Sequence, residues 1–317
     1  MVYEMHWIQN QNNRQMRGEF MSLQQLIESY VETIDADFGI YIKHLQTNEE
    51  ASIQGDTLFQ TASVIKLPVL ATLYEKVDAG EIDLLERVSL EAGDFVPGSG
   101  VLQEMMIGLN PTIKDLAMLM IIVSDNLATD KLLGIIGGVE RVQQTIDRLG
   151  FENMSIKHTI WELLSFSVGL SGPYSEETFK EIIRRYTVQE IAWDSDVYKQ
   201  QKLSNDSSAK DMAELVALFA KGEFISQQCS DEIVDILHRQ QYKQRIAGRL
   251  PRGTAVANKT GTLGTMFNDA GVVYLPDNLG QYVICVFSKG HALNYEGNEP
   301  IAQISKIAFD YFVSKGE

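Results

Sequence analysis

The sequence predicts an α+β fold of the α/β sandwich kind. An antiparallel sheet is built from both termini and flanked by helices, with an all-helical lobe inserted. Three observations lead there. Segments with the alternation and β-branched content of strands lie near the two ends, at Phe38–Ile42 and Ala51–Ile53, then at Thr254–Asn258, Gly271–Tyr274 and Tyr282–Ser288. The stretch between them reads as helices separated by Gly- and Pro-containing loops. The chain has 317 residues, 44% apolar and 22% charged, enough for one large domain or two interleaved lobes around a sizeable core.

Residues 1–21 read as a polar extension, with a nearly unbroken polar run from Gln9 to Gln15 and no apolar core of a secretory signal. Ser22 is placed to cap a helix opening at Leu23. The strand at 38–42 leads through the polar turn Thr47–Glu50 to a short strand at 51–53. From about residue 62 the helical period takes over, with helices at Val64–Val77, Ile113–Val123, Leu127–Ile136 and Val139–Leu149. Residues 151–206 form a long loop or insert holding a charged helical stretch from Glu176 to Tyr186. Ser207 or Ser208 caps a helix through Met212 to Ala220, and a further helix fits Ser230–Gln240. Pro276-Asp277-Asn278 turns the last hairpin, and Ile301–Val313 closes the chain as an amphipathic helix. The domain reading is therefore a sheet lobe from 22–61 and 216–317, with a helical lobe from 62–215 that includes the insert.

The 27 basic and 43 acidic residues give a formal charge of −16, whose field repels phosphate backbones, so no nucleic-acid partner is expected. The longest purely apolar run, Leu116–Val123, falls far short of the roughly 20 residues that a membrane span needs. As it stands the sequence predicts a cytoplasmic protein, or an extracellular or periplasmic one if a leader has been removed. Cys229 and Cys285 are too few and too far apart for a disulfide framework or zinc cluster. Cys285 reads as a small core hydrophobe within an apolar strand. The histidines are scattered without ligand spacing, so neither metal nor other cofactor is expected.

Three short motifs carry the chemistry. In Ser63-Val64-Ile65-Lys66, a helix starting at Ser63 puts hydroxyl and ammonium on one face. A serine hydroxyl needs a base, and a desolvated lysine of lowered pKa is one. The helix N-terminus adds N–H groups suited to a developing oxyanion. Ser207-Ser208-Ala209-Lys210 has the same spacing and reads as a surface helix start. Ser124-Asp125-Asn126 sits between two apolar helices, where Ser124 would shuttle a proton to a leaving group and Asn126 would hold a substrate amide. Lys259-Thr260-Gly261 ends a strand and is followed by Thr262. Gly261 allows close backbone approach, Thr260 and Thr262 share a side, and Lys259 helps depress the pKa of Lys66.

In this order and on these elements the three motifs resemble those of the class A β-lactamases and penicillin-binding proteins. The resemblance runs from about residue 22 to 315, and the 61-residue spacing from Ser63 to Ser124 is similar to the family's. It implies a small-molecule substrate as the partner and a serine hydrolase whose Ser63 attacks a lactam or peptide carbonyl, with Lys66 as base or proton relay. The N–H groups of Ser63 and Thr262 would form the oxyanion hole. Lys259, Thr260, Gly261 and Thr262 would bind the substrate, and Arg245, fourteen residues before Lys259, would reach its carboxylate. Glu162, preceded by Trp161, falls where the family carries its water-activating glutamate. Phe166 stands where the family usually has asparagine, Asn258 where aspartate is common, and the stretch from Leu163 to Asp206 is longer than usual. The resemblance therefore leaves three activities open: a β-lactamase, a hydrolase of other amides, esters or D-peptides, and a penicillin-binding sensor that acylates without turnover.

Overall fold

The computed structural model describes residues 21–291 and 296–316, so the polar extension expected over 1–21 lies, except for Met21, outside the described residues. The chain opens with α1 (Leu23–Val31), started by a capping box in which Ser22 and Gln25 satisfy each other's backbone N–H groups. Strands β1 (Asp37–His44) and β2 (Glu50–Ile53) follow. The C-terminal third supplies β6 (Val256–Leu263), β7 (Met266–Tyr274) and β8 (Gln281–Lys289), then α10 (Asn298–Ser314). The five strands form one antiparallel sheet in the order β2-β1-β8-β7-β6, so the two ends of the chain meet where β1 pairs with β8.

Alternation along β8 shows why this strand is apolar from Tyr282 to Phe287. Tyr282, Ile284 and Val286 face a core shared with α1 and α10, whereas Val283, Cys285 and Phe287 face a second core shared with the helical lobe. Cys285 is fully buried and Cys229 nearly so, and both are free.

Between the strand sets lie β3 (Leu58–Gln60), a 3₁₀ turn (Ala62–Ile65), α2 (Lys66–Asp78), α3 (Ile113–Ile122), α4 (Asn126–Ile136) and α5 (Gly138–Leu149). The insert folds as β4 (Met154–Ser155), α6 (Ile160–Ser167), α7 (Glu176–Thr187) and β5 (Asp206–Ser208). It leads into α8 (Ala209–Ala220) and α9 (Gln227–His238). Strands β3, β5 and β4 make a small antiparallel sheet. Helix α8 lies against β1, β7 and β8, so the expected lobe boundary at 215/216 falls within a helix packed on the large sheet. Among the described residues no helix is long and apolar enough to cross a membrane.

Two expectations change. Lys259-Thr260-Gly261 does not end its strand: β6 continues to Leu263 and turns only at Gly264, whose φ of +57° suits glycine. The second S-x-x-K copy starts a helix but not on the surface. Ser207 and Ser208 are fully buried in β5, with Ser208 accepting from Asp211 N as the cap of α8.

Candidate active site

Ser63 sits on the 3₁₀ turn, one residue after Ala62, which holds φ at +47°. Ser124 holds φ at +57°. Left-handed backbone at non-glycine residues is costly and collects at functional sites. The turn is tied down from several sides. Gln60 Oε1 accepts from Ala62 N (2.7 Å), and Asn205 O accepts from Thr61 N (2.9 Å) and Thr61 Oγ1 (2.7 Å). The edge strand β6 packs against the turn, and Gly261 is what lets it approach. A Cβ at position 261 would lie 2.7 Å from Thr61 O and 3.0 Å from the nitrogens of both Ser63 and Val64.

Lys66 is completely buried at the start of α2. Its ammonium donates to Ser124 O (2.7 Å), Ser124 Oγ (3.1 Å) and Asn126 Oδ1 (2.8 Å). An ammonium has three protons, and these acceptors take all of them, so no bond to the Ser63 hydroxyl forms, contrary to the expected meeting of the two groups. Burial pushes its pKa down to about 7, partly offset by the charges of Asp125 and Asp130. Lys259, also buried, donates to the same Ser124 Oγ (3.0 Å). Its pKa is held well below the usual lysine value by burial and then by Lys66.

Asp125 does structural work within the second motif. It caps α4 through Ala128 N (2.9 Å) and accepts from Val101 N (2.7 Å) and Leu102 N (2.8 Å), fixing the loop at 97–102. Asn126 completes this clamp, its Nδ2 donating to Pro97 O (2.8 Å).

Arg245 is buried at the end of β6. Nε donates to Asn298 Oδ1 (2.8 Å), Nη1 to Gly261 O and Asn268 O (both 2.6 Å), and Nη2 to Thr262 Oγ1. Asn258 is buried as well and donates to both carboxylate oxygens of Asp269 (2.9 and 3.0 Å).

Two cavities meet at Ser63, Ser99 and Thr262. One, of about 580 Å³, is polar and carries Ser124, Arg245, Thr260 and Gly261. The other, of about 590 Å³, runs between α6 and α7. From α6 it is lined by Ile160, Leu163 and Leu164, positions i, i+3 and i+4 of one helix face. At about 100° per residue, Glu162 points away from that face. Its carboxylate accepts from Thr159 N (2.9 Å) and Thr159 Oγ1 (3.2 Å), closing a capping box. Phe166 also lies off the cavity, edge-on to His158 at 5.1 Å. The carboxylate that does line the cavity, Glu104, is exposed at its mouth.

The structure thus gathers Ser63, Lys66, Ser124, Asn126, Lys259, Thr260, Gly261, Thr262 and Arg245 around one point, while the Glu162 carboxylate is bonded to Thr159. The sequence reading missed Asp130 and Asn205. Asp130 accepts from Ile160 N (2.7 Å) and Trp161 N (2.8 Å), fixing the start of α6. Asn205 accepts from Lys157 N (2.8 Å) and His158 N (3.0 Å), joining the insert to the serine turn. The signal for Asp130 was present: a carboxylate on a helix whose Leu127, Leu132 and Leu133 are buried needs partners when it is buried with them. Among the described residues no cluster of His, Cys, Asp or Glu could hold a metal ion.

Comparison with known proteins gives the family and the fold. The family model described as the β-lactamase enzyme family matches residues 22–312. The β-lactamase VEB-1 of Pseudomonas aeruginosa is 26% identical over 300 residues, covering 91% of this chain and 90% of its own. The solved structure of PBP-A is 27% identical, with a TM-score of 0.75 over 92% of this chain and 96% of its own. A variant of PBP-A has been solved as an acyl-enzyme complex with penicillin G. A β-lactamase from Sphaerobacter thermophilus is likewise 27% identical, with a TM-score of 0.73 over 92% and 96% of the two chains.

Proposed function

The chain belongs to the β-lactamase enzyme family, and from that premise we propose that it is a serine hydrolase that opens β-lactam or related amide bonds through an acyl-enzyme on Ser63. The observation that carries the reading is Ser124 Oγ held between two buried lysines of depressed pKa, beside a serine turn that faces both cavities. Lys66 in its neutral form gives up one donor and gains a lone pair, and so becomes the base for the Ser63 hydroxyl. The carbonyl carbon bonds to Ser63 Oγ, the C–N bond breaks, and Ser124 hands a proton to the departing nitrogen. The N–H groups of Ser63 and Thr262 receive the oxyanion. Lys259, Thr260 and Thr262 meet the substrate carboxylate. Arg245, bonded to Thr262 Oγ1, positions that hydroxyl and adds charge.

A second reading, slow release of the acyl group, is favoured by the apolar α6 wall and by Glu162 being engaged as a cap. An acyl-enzyme with penicillin G has been solved for a variant of the relative PBP-A. Intact-mass spectrometry after mixing with a chromogenic cephalosporin, with absorbance followed alongside, tests both. The expected result is an adduct near one per chain that decays slowly, and none with Ser63→Ala. Many turnovers with no detectable adduct would replace slow release by efficient hydrolysis. Neither adduct nor turnover would overturn the lactam reading.

A further inference from the structure

The two cavities at Ser63 are lined by different residues, and the difference describes a substrate. The polar one holds Ser124, Thr260 and Arg245. A proton donor and cations belong beside the leaving half of the substrate, so the acyl half must lie on the other side. There the far wall is made by the insert. Phe179, Ile182, Ile183 and Tyr186 of α7, at i, i+3, i+4 and i+7, form one apolar face turned toward the α6 wall. Such a face normally closes onto its neighbour. Here it leaves a slot of about 590 Å³ open, within the usual size range of ligand cavities, with Ile183 still 43% exposed. The mouth continues the same character. Just beyond Gln103 and Glu104, the side chains of Met105, Met106 and Ile107 are 47%, 86% and 63% exposed. A short acyl group would leave these apolar walls in water.

We propose that the substrate is an amphiphile whose acyl half is an extended apolar chain lying between α6 and α7, and whose leaving half carries a carboxylate. This rests on Ser63 being the acylated residue and names the substrate class of that site. The reaction balances with water as co-reactant. Ser63 Oγ bonds to the acyl carbon, and the amine leaves with the serine proton. Water then releases the long-chain carboxylic acid and restores the hydroxyl.

The test uses the full chain and penams whose side-chain amides carry straight acyl chains of two, six and ten carbons. The lactam and its carboxylate stay constant while the tail grows. Second-order acylation rates are read by intact mass, with Ser63→Ala as control. The expected rate rises with chain length, by up to about fourfold per methylene, until the slot is filled. Ile183→Glu, an exposed position that should fold, is expected to flatten the ratio of ten-carbon to two-carbon rates, and Phe179→Ser should do the same. A flat or falling series with Ser63 adducts throughout would overturn the tail site and spare the nucleophile. A steep series that survives in both variants would put the tail elsewhere and overturn the proposal. No adduct with any member would overturn the serine reading and this inference with it.

Discussion

At the scale of residues, the site depends on how many hydrogen bonds one amine can make. Protonated Lys66 spends all three donors on Ser124 and Asn126, and only the neutral amine has a lone pair for the Ser63 proton. Because burial brings its pKa to about 7, the basic form grows as pH rises through that value. Acylation measured as a second-order rate against pH should therefore climb with an ascending limb centred near 7. A rate flat from pH 5 to 9 would remove Lys66 as the base. Gly261 sets the other residue-scale limit. Gly261→Ala brings a methyl group within 2.7 Å of Thr61 O, so either β6 or the serine turn must move. Since misplacement of reacting groups by about 1 Å can cost on the order of 100-fold, acylation should fall at least tenfold while circular dichroism stays native. An unchanged rate would show that the strand and turn are not held in register by this contact.

At the scale of elements, α6 decides between cap and base for Glu162. Glutamine can close the same capping box but cannot take a proton from water, and alanine can do neither. If the carboxylate is a cap, Glu162→Gln should match the parent protein in both thermal stability and decay of the acyl-enzyme. Glu162→Ala should lose about 1 kcal/mol of stability. A trapped adduct in Glu162→Gln, read by mass against time, would make it the deacylating base instead. The same helix shows what a sequence can tell. Motif identity located Ser63, Lys66, Ser124 and the β6 residues, because short-range spacing fixes which elements carry them. Motif identity also nominated Glu162, but a helix turns about 100° per residue, and which face meets the cavity is settled by Asp130 holding the first turn. That contact spans 30 residues and leaves no local pattern. Helices α2 to α5, α9 and α10 were legible from apolar period and glycine stops. Strands β3, β4 and β5, of two or three residues, were too short to show alternation.

At the scale of the molecule, those short strands join regions far apart in the chain. β3 leads directly into the serine turn, β4 follows α5, and β5 between them feeds α8 on the large sheet. Asp206 sits in this seam, opposite Gln60 and Ser155, fully buried, and neither carboxylate oxygen has a hydrogen-bond partner of good geometry among the described residues. Burial raises its pKa from 3.8 to about 6, with the Ser204 and Lys202 backbones opposing. The folded state therefore holds this proton more tightly than the unfolded chain. The associated stability is fully present below 3.8 and is lost as pH rises through about 6. Asp206→Asn keeps the shape and removes the titration. Relative to the parent protein, the variant should gain little or nothing at pH 4 and about 1–3 kcal/mol at pH 7.5, so the difference in melting temperature should widen between those values. Scans of both proteins across pH 4 to 8 check this. A difference that stays constant with pH would mean that the Asp206 proton does not govern how firmly the seam joins the serine turn to the sheet.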